Sequence, residues 1–167
     1  ARGSNRLAAV AVRAGAAAVA SVELSTGEVE CMALSRDSLA SALAALGPSE
    51  TLVPDRLFAD ETLSETFKTA GGLIQPMASA LAEPSASEAR LKRLYGVETL
   101  DGFGELTGAE ISALGLIAAH LETTQAGRLP ALTAPRRAGA ADRKRKDPAT
   151  RSSVELGRRP TSTRDGA

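Results

Sequence analysis

The sequence predicts an α/β domain: a mixed five-stranded sheet flanked by helices, with a basic, poorly ordered C-terminal tail. Three observations predict it. Three short apolar or alternating segments follow one another at the N-terminus, separated by turn residues. Two segments with helical periodicity, each opened by cap-type residues, close the body of the chain. Charge then divides the 167 residues. Positions 1–134 hold 10 Lys/Arg against 16 Asp/Glu, whereas positions 135–167 hold 10 against 4. An acidic body, residues 1–134, therefore carries a basic tail, residues 135–167.

Residues 7–12 (LAAVAV) form a short apolar run, and Arg13, Ala14 and Gly15 close it as a turn would. In the next segment Ala20, Val22 and Leu24 alternate with Ser21, Glu23 and Ser25, the period of a half-buried strand. Ser25, Thr26, Gly27 and Glu28 supply turn chemistry, after which Val29, Cys31 and Ala33 alternate with Glu30, Met32 and Leu34. Three strands with tight turns predict an antiparallel meander.

Ser35 is placed as an N-cap, with Asp37 in the first turn of a helix. Leu39, Ala42, Leu43 and Leu46 share one face of that helix, and Gly47 with Pro48 stops it. Residues 51–54 (TLVP) read as a buried strand ended by proline. Residues 56–70 read as a loop with a short helix. Residues 72–77 (GLIQPM) read as a further strand, which Pro76 confines to an edge or to its end.

Ser85 and Glu88 have the spacing of a capping box, with Pro84 just outside it. Leu91, Leu94 and Tyr95 give that helix its apolar stripe, and Gly96 ends it. Residues 95–104 (YGVETLDGFG) are a glycine-rich turn holding the only tyrosine and one of three phenylalanines. Gly96, Gly102 and Gly104 there mark positions expected to exclude a Cβ. Thr107 and Glu110 repeat the capping-box spacing. Ile111, Leu114, Ile117, Ala118 and Leu121 then make an apolar helix face that runs to Gly127. Three antiparallel strands, a helix, a strand, and then further α and β segments give the order of a ribonuclease-H-like domain.

Chemistry has no visible home in the residues. A nuclease of that fold needs carboxylates converging on two metal ions. Residues 7–12 carry none, and Glu23 and Asp55 are separated acids on a surface rich in them. His120 is the only histidine and Cys31 the only thiol, so neither a His/Cys metal cluster nor a Cys-His pair can be assembled. A phosphate loop of the G-x-x-x-x-G-K-S/T type is absent, and Gly102-Phe103-Gly104 offers G-x-G alone. No run approaches the roughly 18 apolar residues of a membrane span. The N-terminal ARGSNRL does not read as a secretory leader. The lone cysteine fits a reducing cytoplasm. Residues 143–146 (RKRK) and 158–159 would attract phosphate without reading sequence, and no aromatic between 135 and 167 could stack on bases.

Five segments carry a family resemblance: SNRLAAV, VELSTGEVE, LYGVETLDGFG, AHLETTQAGRLPAL and KDPATRSSVEL. In this order and spacing they resemble the connector domain of the MutS family of DNA mismatch repair proteins and the start of its core and lever region. The third is similar to the family's F-G-V-x-x-L-D-G-F-G turn, here Gly96, Leu100, Asp101, Gly102, Phe103 and Gly104. The fourth resembles the T-Q exit from the long helix, here Thr124 and Gln125. The fifth resembles D-x-A-T-R, here Asp147, Ala149, Thr150 and Arg151.

The resemblance implies a ribonuclease-H-like connector at residues 1–134, without catalysis of its own, and a degenerate start of the core and lever domain within residues 135–167. It implies part of a bacterial, cytoplasmic, nucleoid-associated protein that binds mismatched DNA and recruits a MutL-type partner. ATP and Mg²⁺ belong to the full-length family and would be held outside these residues. Phe103 is expected beneath the long helix, where the turn sets that helix's direction. The basic run 142–146 stands where the family has an apolar strand, and Gly157 and Pro160 break the helix that would follow. Residues beyond about 134 are accordingly expected to pack poorly.

Overall fold

A computed structural model describes residues 5–125 and 131–138. Strands β1 (Arg6–Arg13), β2 (Ala16–Glu23) and β3 (Glu28–Ser35) form the expected antiparallel meander. The first turn has positive φ at both Ala14 and Gly15, the two-residue geometry that matches the right-handed twist of its strands. Helix α1 (Leu39–Leu46) follows, and Gly47 closes it in the left-handed conformation. Strand β4 (Glu50–Pro54) then lies parallel to β1, with Ala9 beside Leu52. Strand β5 (Leu73–Met77) lies parallel to β4 on the sheet edge, where Pro76 lacks an N–H to donate.

Two short helices, α2 (Asp55–Phe58) and α3 (Ser64–Ala70), occupy the segment expected to be a loop with one short helix. Helix α4 (Pro84–Tyr95), the turn, and helix α5 (Gly108–Thr124) complete the layer on the other face. A two-residue strand, β6 (Arg136–Arg137), adds a sixth member, so the order is β5-β4-β1-β2-β3-β6. Three antiparallel strands, two parallel ones and helices on both faces make a ribonuclease-H-like α/β domain. One compact unit ends at Arg136, and of the residues after it Arg137 and Ala138 are described.

Alternation along the strands divides the core in two. Leu7, Ala9 and Ala11 on β1 face α4 and α5, together with Ala18, Ala20 and Val22 on β2. Val10, Ala17 and Val19 face α1 and α3. This corrects the half-buried expectation for β2: residues 17–22 are all buried, Ser21 included, because helices cover both faces. Alanine at so many strand positions leaves the filling of each layer to leucines from the helices. Leu39 and Leu43 serve one side, and Leu91, Leu116 and Leu121 the other, all nearly or fully buried. Each contributes about 1.5–3 kcal/mol by leaving water. Helix α5 is buried nearly all round, the pattern of a helix enclosed by its domain.

Three cap assignments change. Ser35 caps a 3₁₀ turn (Arg36–Ser38) by backbone position only; its hydroxyl meets that of Ser38 at 3.0 Å, and α1 begins after the turn. Ser85 and Glu88 form no capping box. Pro84 is the first residue of α4, where its fixed φ and missing N–H suit it, and Glu88 pairs with Lys92 instead. Helix α5 ends at Thr124, earlier than expected, and Gly127 lies outside the described residues. The box at Thr107 and Glu110 is present in both directions.

Candidate functional site

The glycine-rich turn, the β2–β3 hairpin and the segment after α5 meet at one place. Gly96 ends α4 in the left-handed conformation, and its N–H bonds to the Lys92 carbonyl. Leu100 is buried in the core beneath α5, and the Asp101 N–H donates to the Thr99 hydroxyl at 3.3 Å. A 3₁₀ turn (Asp101–Phe103) follows, and Gly104 leaves it at φ 90°. Gly96 and Gly104 thus hold conformations that side chains resist. Gly102 does not: its φ is not positive, and a Cβ there would meet nothing within 4 Å, which corrects the expectation for that position.

Phe103 is half-buried, packed against the core at its rim rather than enclosed beneath α5. Its ring meets Tyr95 edge to face, with centroids 4.9 Å apart and planes at 61°. Tyr95 in turn donates its hydroxyl to the Thr133 carbonyl at 2.7 Å. Burial first, and then the neighbouring Cys31, hold the phenol above its ordinary range, so it stays a donor.

Thr133 is also tied to the hairpin. Its N–H donates to the Gly27 carbonyl at 2.9 Å, and its hydroxyl accepts from the Val29 N–H at 3.0 Å. Arg136 reaches Glu30 at 2.7 Å. A Cβ on Gly27 would stand 2.1 Å from the Ala131 carbonyl oxygen, so glycine is what lets the two backbones approach. Pro135 is buried, against the poor packing expected after residue 134, and residues 139–167 lie outside the described residues. Two segments that carry the family resemblance, at Gly27 and at Tyr95 with Phe103, thus form one clasp with Thr133, the residue directly after a third.

Thr124 and Gln125 finish α5 and stand apart from that clasp in their bonds. The Thr124 hydroxyl donates to the His120 carbonyl at 2.9 Å, and the Gln125 N–H to that of Leu121. Asp147, Ala149, Thr150 and Arg151 lie outside the described residues, as does the run 143–146. On its other side the turn borders an open groove of about 600 Å³ lined by Glu88, Lys92, Leu100, Asp101, Glu105 and Ile111. Its three acids against one lysine do not suit a phosphate backbone.

The acids considered for a nuclease do not converge. Glu23 pairs across the sheet with Arg6, next to the start of β4, whereas Asp55 follows the end of β4. Five strand residues, Glu50–Pro54, lie between those levels, six steps or about 20 Å at about 3.3 Å each. Glu23 instead accepts the Ser25 hydroxyl at 2.8 Å within the hairpin turn, and this bond chiefly lowers its pKa. No group of three His, Cys, Asp or Glu among the described residues could hold a metal ion. His120 faces Glu50 at 3.8 Å in the last turns of α5. No helix among the described residues is long and apolar enough to cross a membrane.

Residues 5–133 match the family described as MutS domain II. The chain is 69% identical over 167 residues to the DNA mismatch repair protein MutS of Caulobacter vibrioides, covering all of this chain and 18% of that protein. It is 36% identical over 168 residues to the MutS protein of Rhizobium meliloti, covering 98% of this chain and again 18% of the relative. It therefore spans under a fifth of the length of these relatives. Among solved structures, T. thermophilus RuvC in complex with Holliday junction substrate is similar with a TM-score of 0.44 and 9% identity, over 73% of this chain and 96% of that one. With the family match covering strands β1 to β5, both helix layers and most of the clasp, the chain belongs to the MutS domain II family, the connector domain of DNA mismatch repair proteins.

Proposed function

We propose that these residues act as the connector of a MutS-type mismatch repair protein, a mechanical and docking module without catalysis of its own. The observation that carries this reading is the clasp. The segment leaving α5 is pinned to the hairpin and to the turn between the two long helices, so movement of the following chain is transmitted into the sheet. On this reading mismatched DNA, ATP and Mg²⁺ are bound elsewhere in the protein, and the connector offers surface to a MutL-type partner. A bacterial cytoplasmic protein working at the nucleoid follows from the same reading.

The test is a domain exchange. Residues 5–133 replace the matching segment of Caulobacter vibrioides MutS, to which the chain is 69% identical. The chimera should restore the spontaneous mutation rate of a mutS deletion to within about twofold of wild type. A mutator phenotype from a chimera that accumulates normally and binds mismatched DNA would overturn the reading.

A further inference from the structure

We infer that residues 131–136 form a latch, released from the β2–β3 hairpin as a unit while strands β1 to β5 and both helix layers stay folded, with the Tyr95 hydroxyl as its positioning group. Its role in relaying motion rests on the connector reading; its existence as a separate opening does not.

The hold on this segment is narrow and polar. Thr133 carries most of it, through the Gly27 carbonyl, the Val29 N–H and the Tyr95 hydroxyl, and Arg136 adds one ion pair with Glu30 and the first residue of β6 beside β3. Ala131, Thr133, Ala134 and Arg136 are exposed, and the bonds of Tyr95 and Arg136 lie where water can replace them, whereas the one from the Val29 N–H is part-buried. Apolar anchorage is limited to Leu132, partly buried against the core, and Pro135. Residues 7–11 of β1 and 17–22 of β2 are buried throughout by comparison. Segments with few buried apolar contacts and solvent-exposed backbone bonds open at lower cost than the fold as a whole.

Tyr95 makes the opening legible to the rest of the domain. It is the last residue of α4, immediately before Gly96, and its ring is set edge to face on Phe103. The bond to Thr133 therefore joins the exit segment to the turn that links α4 and α5.

Hydrogen exchange on the 167-residue chain tests this, comparing wild type with Tyr95→Phe and Thr133→Val across low urea. The Thr133 amide should exchange by a urea-insensitive local opening, while Val10 and Ala20 follow global unfolding. Tyr95→Phe keeps the ring and should accelerate exchange at Thr133 by roughly fivefold to tenfold, as loss of one ordinary hydrogen bond implies. Val10 and Ala20 should accelerate by no more than the same factor, because a lost native bond also lowers global stability, and should keep their steep urea dependence. Thr133→Val, which removes only the hydroxyl acceptor, should expose the Val29 amide in the same way. Exchange of Thr133 only through global unfolding, with the urea dependence of Val10 and Ala20, would overturn the latch, as would a rate unmoved by Tyr95→Phe. A failed domain exchange with latch kinetics intact would instead remove the connector reading alone.

Discussion

Ser87 on α4 sits against Gly115 on α5 so closely that a Cβ at position 115 would lie 2.3 Å from the Ser87 Cβ and 2.8 Å from its Cα. Ser87 is fully buried, and its hydroxyl donates to the Leu81 carbonyl at 3.2 Å. Ser112, one turn earlier on α5, donates to the next carbonyl, that of Ala82. Two serines thus satisfy the 3₁₀ turn (Ser79–Ala82) beneath the helix crossing, and glycine permits the approach.

Gly115→Ala should therefore destabilise the domain although alanine is the better helix former. Propensity favours alanine by about 1 kcal/mol, whereas overpacking a rigid contact costs about 1–3 kcal/mol and here meets backbone as well as side chain. With the contact on backbone, the upper half of that cost applies, and a net loss of up to about 2 kcal/mol is expected from urea unfolding. Adding Ser87→Gly should recover part of it, because the two contacts at 2.3 Å disappear, while the Cα stays 2.8 Å away and the bond to Leu81 is lost. A higher midpoint for Gly115→Ala alone would show that the helices can separate freely.

Phe103→Ala measures the correction at the turn. A fully enclosed phenylalanine would cost about 3–5 kcal/mol on truncation. At the rim, with only part of its area buried, Phe103 should cost about 1–2 kcal/mol, of which the ring contact with Tyr95 supplies about 0.5–1.5. In a Tyr95→Leu background the same truncation should cost less, by that pairwise share. Equal costs in both backgrounds would separate the two rings energetically.

What could be read in the residues was what local chemistry determines. Alternation and turn residues located β1 to β3, and the spacing of Thr107 and Glu110 located the start of α5. Pro76 placed β5 at an edge. At Pro84 two local signals competed: proline at the first helical position outranked the Ser85–Glu88 spacing. The clasp was not legible. Tyr95 and Thr133 are 38 positions apart, and Val29 and Thr133 are 104 apart. No periodicity encodes such pairings. The only local traces were a single tyrosine and a glycine in the hairpin turn, each with a sufficient local explanation. The second helix layer over β2 was hidden for a related reason, since alanine and serine at its other positions look like solvent-facing residues until helices cover them.

Acid should reveal a separate ion pair on the α1–α3 side. Arg36 Nη2 donates to Asp60 Oδ2 at 2.6 Å, and Asp60 Oδ1 accepts from the Thr62 hydroxyl at 2.7 Å and the Thr62 N–H at 2.9 Å. The Thr62 hydroxyl first, and Arg36 next, lower the Asp60 carboxyl from 3.8 to about 2. A carboxyl with a lower pKa folded than unfolded stabilises fully above its unfolded value. That contribution fades as pH falls from about 3.8 through about 2. Carboxyl NMR titration of the folded protein should give a midpoint of about 2 for Asp60, rising in Thr62→Val. An ordinary midpoint in the wild type would mean that the loop does not hold this arrangement in solution.

Gly15 and Gly27 allow the clasp to be weighed against a built-in control. Both have nearly the same φ, 82° and 81°. A Cβ on Gly15 would meet nothing within 4 Å, whereas one on Gly27 would strike the Ala131 carbonyl oxygen. Gly15→Ala should therefore cost only the left-handed conformation, about 1–2 kcal/mol. Gly27→Ala carries that cost and must also push residues 131–133 off the hairpin, because the obstructing atom is backbone. Both variants should lose similar global stability if the displaced segment is weakly held. Only Gly27→Ala should strip protection from the Thr133 amide, whose bond partner is the Gly27 carbonyl. Equal protection of Thr133 in the two variants would show that the hairpin yields rather than the exit segment. A much larger global loss for Gly27→Ala would show that the segment is part of the cooperative core.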